Sequence, residues 1–324
     1  MNTQPDRQIV VKKRGNRLGF WFFRVSLRVF GLRGAYGLLY IVCSYYLLFD
    51  RKAVRSALAY IRRRFRNRAR VWQYFAAYRL FVAQGKSLID RYYLLSGVGT
   101  FDTAFLGYEG IKPLLENPHQ GIVVIMSHVG NWQLILATIG NLNRKVRLVM
   151  RPEDNAAVRE SLDIDKETGM VQIISPESFM GGAIEIAQAL RQGHIVCMMG
   201  DRHYGFSAEP VTFLGDSALL PGGPFAVAAA TGSPVVVLFS AKVSAIRYEI
   251  EVAHIFHPAY APGIPRREQL REWLQQLAAL LENYVQRHPF QCFLFHDIWE
   301  SGTGVTPPDR LAEVQNPGAT RGQE

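Results

Sequence analysis

Three short apolar runs, each without an acidic or basic charge, constrain the fold of this chain more than any other feature. They read GIVVIMS at 121–127, HIVCMMG at 194–200 and PVVVLFS at 234–240. A run that is apolar at every position, and not only at alternate positions, is typical of a strand buried on both faces. Stretches with helical periodicity lie between and after these runs. The alternation predicts an α/β fold with a mainly parallel sheet flanked by helices on both faces.

Weaker patterns extend this sheet and define the limits of the domain. Further strands are expected at 145–150, 170–174, 210–214 and 247–253, and helices from about 131, at 179–191 and at 267–287. Together they predict an α/β domain over residues 96–300. The final stretch, 301–324, is rich in Pro, Gly and polar residues, a composition that predicts a disordered tail.

The front of the chain differs sharply in charge from the rest. Residues 1–91 contain 20 Lys/Arg and 3 Asp/Glu, whereas residues 92–324 contain 17 Lys/Arg and 24 Asp/Glu. Gly34–Phe49 is a run of 16 uncharged residues, which as a helix would measure about 24 Å, less than the ~30 Å hydrocarbon core of a bilayer. Nine basic residues follow between Arg51 and Arg70.

A basic cluster beside an apolar helix is typical of attraction to the anionic inner leaflet of a membrane. It also indicates that the cluster lies on the cytoplasmic side. We therefore predict a basic, helical, membrane-associated segment over residues 1–95, with anionic inner-leaflet lipids as partners. A core helix at Gly34–Phe49 is the main alternative. Nucleic acid is not expected as a partner, because it would leave the apolar helix unexplained.

The three cysteines, Cys43, Cys197 and Cys292, all lie in apolar runs. Three residues cannot form a disulfide framework, so they are expected to be buried thiols in a reducing compartment.

The first motif that suggests a catalytic role is SHVGNWQ at 127–133, directly after the most apolar strand. His128 falls at the carboxyl end of that strand, before a helix whose expected N-cap is Asn131. Free backbone N–H groups at a helix start can stabilise an oxyanion, so this is a good place for a general base. The alternative is a structural histidine at the strand end.

Two further motifs follow later strands. In GDRHYG at 200–205, Arg202 offers a planar fork for phosphate or carboxylate, and Asp201 either pairs with it or faces the site. An internal ion pair is the alternative. In FLGDSALLPGGP at 213–224, Gly222 and Gly223 break the chain before a small-residue helix that a ligand can approach closely.

The order of SHVGNW, GDR, FLG, PGGP, a small-residue helix and TGSPVV resembles the lipid A biosynthesis (late) acyltransferase family, within the lysophospholipid acyltransferase-like superfamily. The resemblance covers residues 15–300 and is greatest to a branch of predicted acyltransferases. It implies an inner-membrane enzyme, at the cytoplasmic face, that moves a fatty acyl chain from an acyl carrier protein or acyl-CoA thioester to a lipid or glycolipid hydroxyl. It implies no metal or redox cofactor.

Carried over by position, the resemblance makes His128 the catalytic base and Arg202 a residue that binds an anionic part of a substrate. It also suggests substrate-binding roles for Asn131, Asp201, Gly222 and Gly223. The family's motif places an acid five residues after the histidine, and here that position is Gln133. An amide oxygen can fix the imidazole tautomer but cannot stabilise the imidazolium by charge.

This departure leaves three hypotheses open. Gln133 acts as the partner of His128 in a working acyltransferase, or the chain is a catalytically impaired relative that binds or hands over lipid. A hydrolase is the third hypothesis, although no G-x-S-x-G elbow is present. A carboxylate from elsewhere within reach of His128 would favour the enzyme; the candidates are Asp201, Glu177 and Asp297. His296, beside Asp297, is a further site candidate.

Overall fold

The computed structural model describes residues 17–140, 142, 144–150, 171–202, 208–295, 298 and 299. Its helices are α1 (Arg17–Phe49), α2 (Arg51–Arg64), α3 (Arg70–Leu95), α4 (Tyr108–Glu116), α5 (Trp132–Gly140), α6 (Ala183–Arg191), α7 (Gly223–Thr231) and α8 (Arg266–Arg287). Its strands are β1 (Asp102–Leu106), β2 (Ile122–Met126), β3 (Val146–Val149), β4 (Val171–Ile174), β5 (Ile195–Met199), β6 (Ala208–Phe213), β7 (Asp216–Pro221), β8 (Val235–Lys242) and β9 (Arg247–Phe256). The predicted tail at 301–324 lies outside these residues.

Seven of the strands form one sheet in the order β1-β9-β8-β2-β5-β3-β4. The central neighbours β8, β2, β5, β3 and β4 are all parallel, and only β9 pairs with β8 in the antiparallel direction. β1 follows the direction of β9. The predicted mainly parallel sheet is therefore confirmed, with two reversed strands at one edge.

The three apolar runs form the centre of this sheet, as β2, β5 and β8. In β2, Val123 and Ile125 face one hydrophobic cluster, while Val124 and Met126 face the other. All five residues of β2 are buried, since helices cover both faces of the sheet. Continuous apolar character is the expected composition of such a strand.

Several element boundaries were predicted closely, while others were missed. The predicted helix at 267–287 agrees with α8, and the region 179–191 divides into a 3₁₀ turn and α6. β1 and α4 were not predicted. The predicted break at Gly222 and Gly223 before a small-residue helix is confirmed by α7, but the strand Asp216–Pro221, which pairs with β6, was not predicted.

The helices at the front of the chain lie against the α/β part and share its core. One hydrophobic cluster contains Ala35, Leu39 and Cys43 of α1 together with residues of the sheet and α8. α1 approaches α3 so closely that a Cβ on Gly85 would lie 2.3 Å from Leu39. All three cysteines are buried and free, as predicted.

The remainder of α1 is apolar and faces outward. Val25–Phe49 is long and apolar enough to cross a membrane, and only 17% of its most apolar window is buried in the protein. Its exposed side chains include Phe30, Ile41 and Leu48, each 71% exposed. α1 is therefore a candidate membrane segment, packed on the protein along one face and open along the other.

The basic cluster after α1 is partly used inside the protein. Arg63 Nε donates to Asp216 Oδ2 over 2.7 Å, and Arg66 Nη2 donates to Asp216 Oδ1 over 3.2 Å. Arg64 Nε donates to the carbonyl of Val285 over 3.0 Å. These three arginines attach α2 and its following turn to the β6–β7 ribbon and to α8, so they are not all available to lipid.

Candidate active site

The register of two neighbouring strands brings the first and second motifs together. β2 and β5 are parallel, and Met126 lies opposite Met199. His128 lies two residues after Met126, and Asp201 lies two residues after Met199. Both side chains therefore lie at the carboxyl edge of the sheet, the edge at which open α/β sheets bind their ligands.

His128 and Asp201 form a hydrogen-bonded pair. Nδ1 of His128 lies 3.0 Å from Oδ1 and 3.2 Å from Oδ2 of Asp201, and the backbone N–H of His128 donates to Oδ2 over 2.7 Å. Asp201 is 1% exposed and the His128 side chain 20% exposed. Among the described residues, no hydrogen bond involves Nε2 of His128. The carboxylate thus holds the backbone and the ring, while Nε2 remains available to a substrate.

Asp201 remains ionised although it is fully buried. Burial alone would raise the pKa of its carboxyl group, but the neighbouring His128 ring and Arg202 guanidinium, together with two hydrogen bonds from His128, lower the pKa below its usual value. The charged carboxylate can therefore stabilise a proton on His128.

The chain after α8 holds the His128 segment from the other side. Phe293 N–H donates to the carbonyl of His128 over 2.7 Å, and Gly130 N–H donates to the carbonyl of Gln291 over 2.8 Å. Between them, Val129 and Cys292 form an antiparallel bridge. Arg202 Nη2 donates to the carbonyl of Phe293 over 3.2 Å, so this segment contacts both strand ends.

The turn after His128 depends on a glycine. Gly130 has φ +55°, and a Cβ at this position would lie 1.7 Å from the carbonyl oxygen of Ser240. Only glycine fits both the left-handed backbone and this close approach. The next residue, Asn131, donates its backbone N–H to Ser240 Oγ over 2.7 Å and its side-chain amide to the carbonyl of Ser87 over 3.4 Å. α5 begins directly after Asn131, but the side-chain Oδ1 of Asn131 accepts no hydrogen bond among the described residues, so the predicted side-chain cap is not formed.

Among the described residues, none of Gln133, Gly222, Gly223 and Glu177 forms a hydrogen bond with the His128–Asp201 pair. Gln133 lies in the first turn of α5, and no hydrogen bond joins it to His128 within the described residues; the Nδ1 position is occupied by Asp201. Gly222 precedes α7, where a Cβ would lie 2.7 Å from Leu270, and Gly223 has open space around it. Glu177 is exposed and has no described contact with His128. His296 and Asp297 lie outside the described residues.

Arg202 has one buried donor without a partner among the described residues. Its Nε is buried without a hydrogen-bond partner in the described structure, although Nη2 donates to Phe293. An unpaired buried donor is costly, which makes a role beyond scaffolding physically reasonable. In the part of the chain that the structure describes, no group of three or more His, Cys, Asp or Glu side chains could hold a metal ion.

Sequence reasoning missed the residues that support this site from neighbouring elements. These residues are Ser240 near the end of β8 and Gln291 after α8, and neither is part of the three motifs. Ser240 Oγ accepts a hydrogen bond from the backbone N–H of Asn131, and the carbonyl of Gln291 accepts one from the backbone N–H of Gly130. A neutral hydroxyl and a neutral amide are common everywhere in sequences. Only the strand order, which puts β8 beside β2, identifies their position.

The arrangement suits proton transfer at a solvent-accessible imidazole. A histidine whose Nδ1–H is held by a buried carboxylate presents Nε2 as a base, in the manner of a Ser-His-Asp triad without its serine. The nucleophile would then be a hydroxyl or water supplied by a substrate.

Comparison with protein families gives one match. The family described as Bacterial lipid A biosynthesis acyltransferase matches residues 59–301, well over half of the 324-residue chain, and this region contains both His128 and Asp201. A comparison with curated proteins finds no match. The match agrees with the order of motifs and with the mainly parallel sheet. The chain therefore belongs to the bacterial lipid A biosynthesis acyltransferase family.

Proposed function

We propose that this protein transfers a fatty acyl chain from a pantetheine-linked thioester to a hydroxyl group of a membrane lipid or glycolipid, with His128 as the general base. Membership of the family supports acyltransferase activity for this protein. The donor is an acyl carrier protein or acyl-CoA, and the reaction takes place at the cytoplasmic face of the inner membrane.

The observation that carries this proposal is the bond between His128 Nδ1 and the buried carboxylate of Asp201. It supplies the acid that the family's motif places at position 133, where this chain has Gln133. The carboxylate from the neighbouring strand supports catalysis despite the amide at Gln133. We propose that Asp201, and not Gln133, positions the base and stabilises its charged form.

In the proposed reaction, Nε2 of His128 accepts the proton of the acceptor hydroxyl while its oxygen attacks the thioester carbonyl carbon. The new C–O bond forms, the carbonyl becomes an oxyanion, and the imidazolium is stabilised by Asp201. The C–S bond then breaks, the carbonyl re-forms, and the thiolate takes the proton from His128. The products are the acyl ester and the free thiol, so atoms and protons balance.

Arg202 is proposed to bind an anionic part of a substrate with the donors that Phe293 does not use. The positive charge of its guanidinium also lowers the pKa of the Asp201 carboxyl group, which favours the ionised carboxylate. Asn131, Gly222 and Gly223 are proposed to shape the substrate groove. The alternative, a relative that only binds or hands over lipid, rested on Gln133 and predicts no turnover in any variant.

The function is tested by lipid mass spectrometry of cells with and without the gene. We expect a lipid in cells that express the chain to be heavier by one acyl unit than in cells that lack it. Purified full-length protein, labelled acyl carrier protein and extracted membrane lipids should reproduce this transfer. Identical lipid profiles together with no transfer in vitro would contradict the proposal.

The proposed membrane association is carried by the outward face of α1. Replacing Ile41 and Leu48 with Gln removes two side chains that are each 71% exposed, so folding should be little affected. The matched control replaces Val243 and Ile246, which are 41% and 66% exposed beyond β8. We expect the α1 variant to shift towards the soluble fraction and the control to pellet with membranes. Equal pelleting of both variants would show that this face is not the anchor.

A further inference from the structure

A cavity of about 310 Å³ lies next to the His128 segment, between α3, the end of β8 and the chain that follows α8. Its wall includes Gly130, two residues after His128. Two residues of extended backbone span at most about 7 Å. The cavity therefore borders the proposed catalytic base without containing it.

The cavity is lined by an unusual concentration of positive charge. Four of its lining residues are cationic, and no carboxylate lines it among the described residues; the four are Arg79, Lys86, Lys242 and Arg287. A wall of this composition attracts an anion and repels a cation.

Within the part of the chain that the structure describes, two of these four charges are neutralised by neighbouring carboxylates. Lys242 Nζ is bonded to Asp90, and Arg287 Nη2 donates to Glu251 Oε2 over 2.7 Å. Neither Arg79 nor Lys86 has a carboxylate partner among the described residues. The cavity thus keeps a net charge of about two positive units, close to the charge that a phosphate monoester carries with opposite sign.

The two uncompensated cations are held in place by aromatic side chains. The guanidinium of Arg79 lies over the ring of Phe290, 4.0 Å from its centre. Lys86 Nζ donates to the hydroxyl of Tyr40 over 3.0 Å. Stacking fixes the plane of a guanidinium while leaving its N–H edge free, which is the geometry that binds two phosphate oxygens.

We propose that this cavity binds a phosphate ester group of a substrate, through Arg79 and Lys86. The inference rests on the proposed function only in calling the ligand a substrate. The volume lies at the lower end of the range for small-molecule sites, so it fits a phosphate with a small organic group and not a whole lipid. That phosphate belongs either to the pantetheine arm of the donor or to the headgroup of the acceptor.

Binding can be measured on full-length protein in neutral detergent by titration calorimetry. The probes are 4′-phosphopantetheine against pantetheine, for the donor, and glucosamine 1-phosphate against glucosamine, for the acceptor. We expect a phosphorylated probe of at least one pair to bind and its unphosphorylated partner to bind at least tenfold more weakly. The pair that shows the difference identifies the source of the phosphate.

The variants Arg79→Gln and Lys86→Gln should each weaken that binding about 10- to 100-fold, the usual consequence of losing a hydrogen bond to a charged group. Arg79→Lys should lose most of the affinity, because it keeps the charge but not the fork. The matched controls are Arg191→Gln in α6 and Lys112→Gln in α4, both exposed and outside the cavity. They should bind the probe as the wild type does.

Equal binding of the phosphorylated and unphosphorylated probes in both pairs would overturn the inference. So would an equal loss in the controls, which would indicate a diffuse electrostatic effect. Repeating the titration with His128→Ala separates this inference from the proposed function. We expect that variant to bind the phosphorylated probe normally whether or not the wild type transfers acyl groups.

Discussion

Asp90 in α3 and Asp201 after β5 are the two most deeply buried carboxylates among the described residues, at 0% and 1% exposure. Asp90 accepts hydrogen bonds from Tyr36 of α1, from Lys242 of β8 and from Tyr248 of β9. Its three donors come from three elements, and two of them, Lys242 and Tyr248, also line the cavity beside the His128 segment. Asp201 instead accepts from one neighbouring residue, His128, whose ring keeps one nitrogen open to a substrate.

The two carboxylates differ in whether their hydrogen-bond partners remain free to bind a substrate. The Asp90 cluster is satisfied internally, and a satisfied buried network rigidifies the structure around it. It joins the apolar helix α1 to the edge of the sheet. In the Asp201 pair, Nδ1 of His128 is hydrogen-bonded to the carboxylate, but Nε2 has no described partner. The negative charge of Asp201 can therefore influence a group that binds at Nε2. Burial alone therefore does not distinguish the two carboxylates; Asp201 differs because its partner His128 keeps the ring nitrogen Nε2 free to bind a substrate.

The largest expected effect comes from His128→Ala, which removes the open side of the Asp201 pair. We expect acyl transfer to fall roughly 10⁴- to 10⁶-fold, as when the base of a catalytic triad is removed. The measurement is transfer from labelled acyl carrier protein to extracted membrane lipids. Full wild-type activity in this variant would refute the proposed mechanism.

Asp201→Asn tests the buried side of the same pair. The amide is nearly the same shape, but it cannot stabilise the imidazolium by charge and favours the wrong tautomer. We expect kcat to fall about 10³- to 10⁴-fold with a small change in KM. A loss confined to KM would instead assign Asp201 to substrate binding.

The pH dependence of stability provides a control for the ionised state of Asp201. Because the pKa of this carboxyl group is lowered in the folded protein, its contribution to folding is complete above the unfolded value of about 3.9. That contribution disappears as the pH falls through the lower folded value. The difference in unfolding free energy between wild type and Asp201→Asn should therefore change as the pH falls below about 4. A difference that is independent of pH throughout would contradict an ionised Asp201.

Asp90→Asn should affect stability and not chemistry, which is the sharpest contrast with Asp201→Asn. It leaves the Lys242 ammonium without its charge partner, and breaking a buried pair in this way costs about 3–5 kcal/mol of unfolding free energy. kcat of the folded protein should stay within about threefold of wild type. Tyr36→Phe, which removes one donor from the cluster, should cost only about 0.5–1.5 kcal/mol. A stable Asp90→Asn protein with greatly reduced kcat would break the comparison.

Gln133→Glu has the smallest expected effect. From the sequence alone, a glutamate at the motif position is expected to strengthen His128 and increase transfer. The structure favours a different expectation, because Asp201 already lies within hydrogen-bond distance of Nδ1. We expect activity to remain within about threefold of wild type, or to fall slightly from the added negative charge, on the scale of an exposed charge pair. A gain of tenfold or more would restore Gln133 as the residue that limits the base.

The sheet was largely predictable from the sequence, since the uninterrupted apolar runs of β2, β5 and β8 can be buried only at its centre. The position of His128 at a strand end followed from the same pattern. The partner of His128 did not follow, because the sequence alone left Asp201, Glu177 and Asp297 as equal candidates. Strand order decides between the first two, and it is a long-range property that no local pattern contains.

Other features could not be predicted from the sequence, for different physical reasons. β7 was missed because Pro221 and the glycines beside it indicate a break, whereas the strand needs only its pairing with β6. The cationic cavity was missed because its charges come from α3, β8 and the end of α8. In the sequence, Arg79 and Lys86 are part of the general basic character of the front segment. Their lack of carboxylate partners is visible only once the chain is folded.

The antiparallel bridge between Val129 and Cys292 has a consequence for the order of events during synthesis. Proteins are made and begin to fold from their N-terminal end, so α1 leaves the ribosome long before Phe293, which holds the carbonyl of His128. We expect the apolar helix to meet the bilayer while His128 still lacks its last support. If the proposed function is correct, a half-made chain is anchored but inactive, and acyl transfer begins only after nearly the whole protein has been translated.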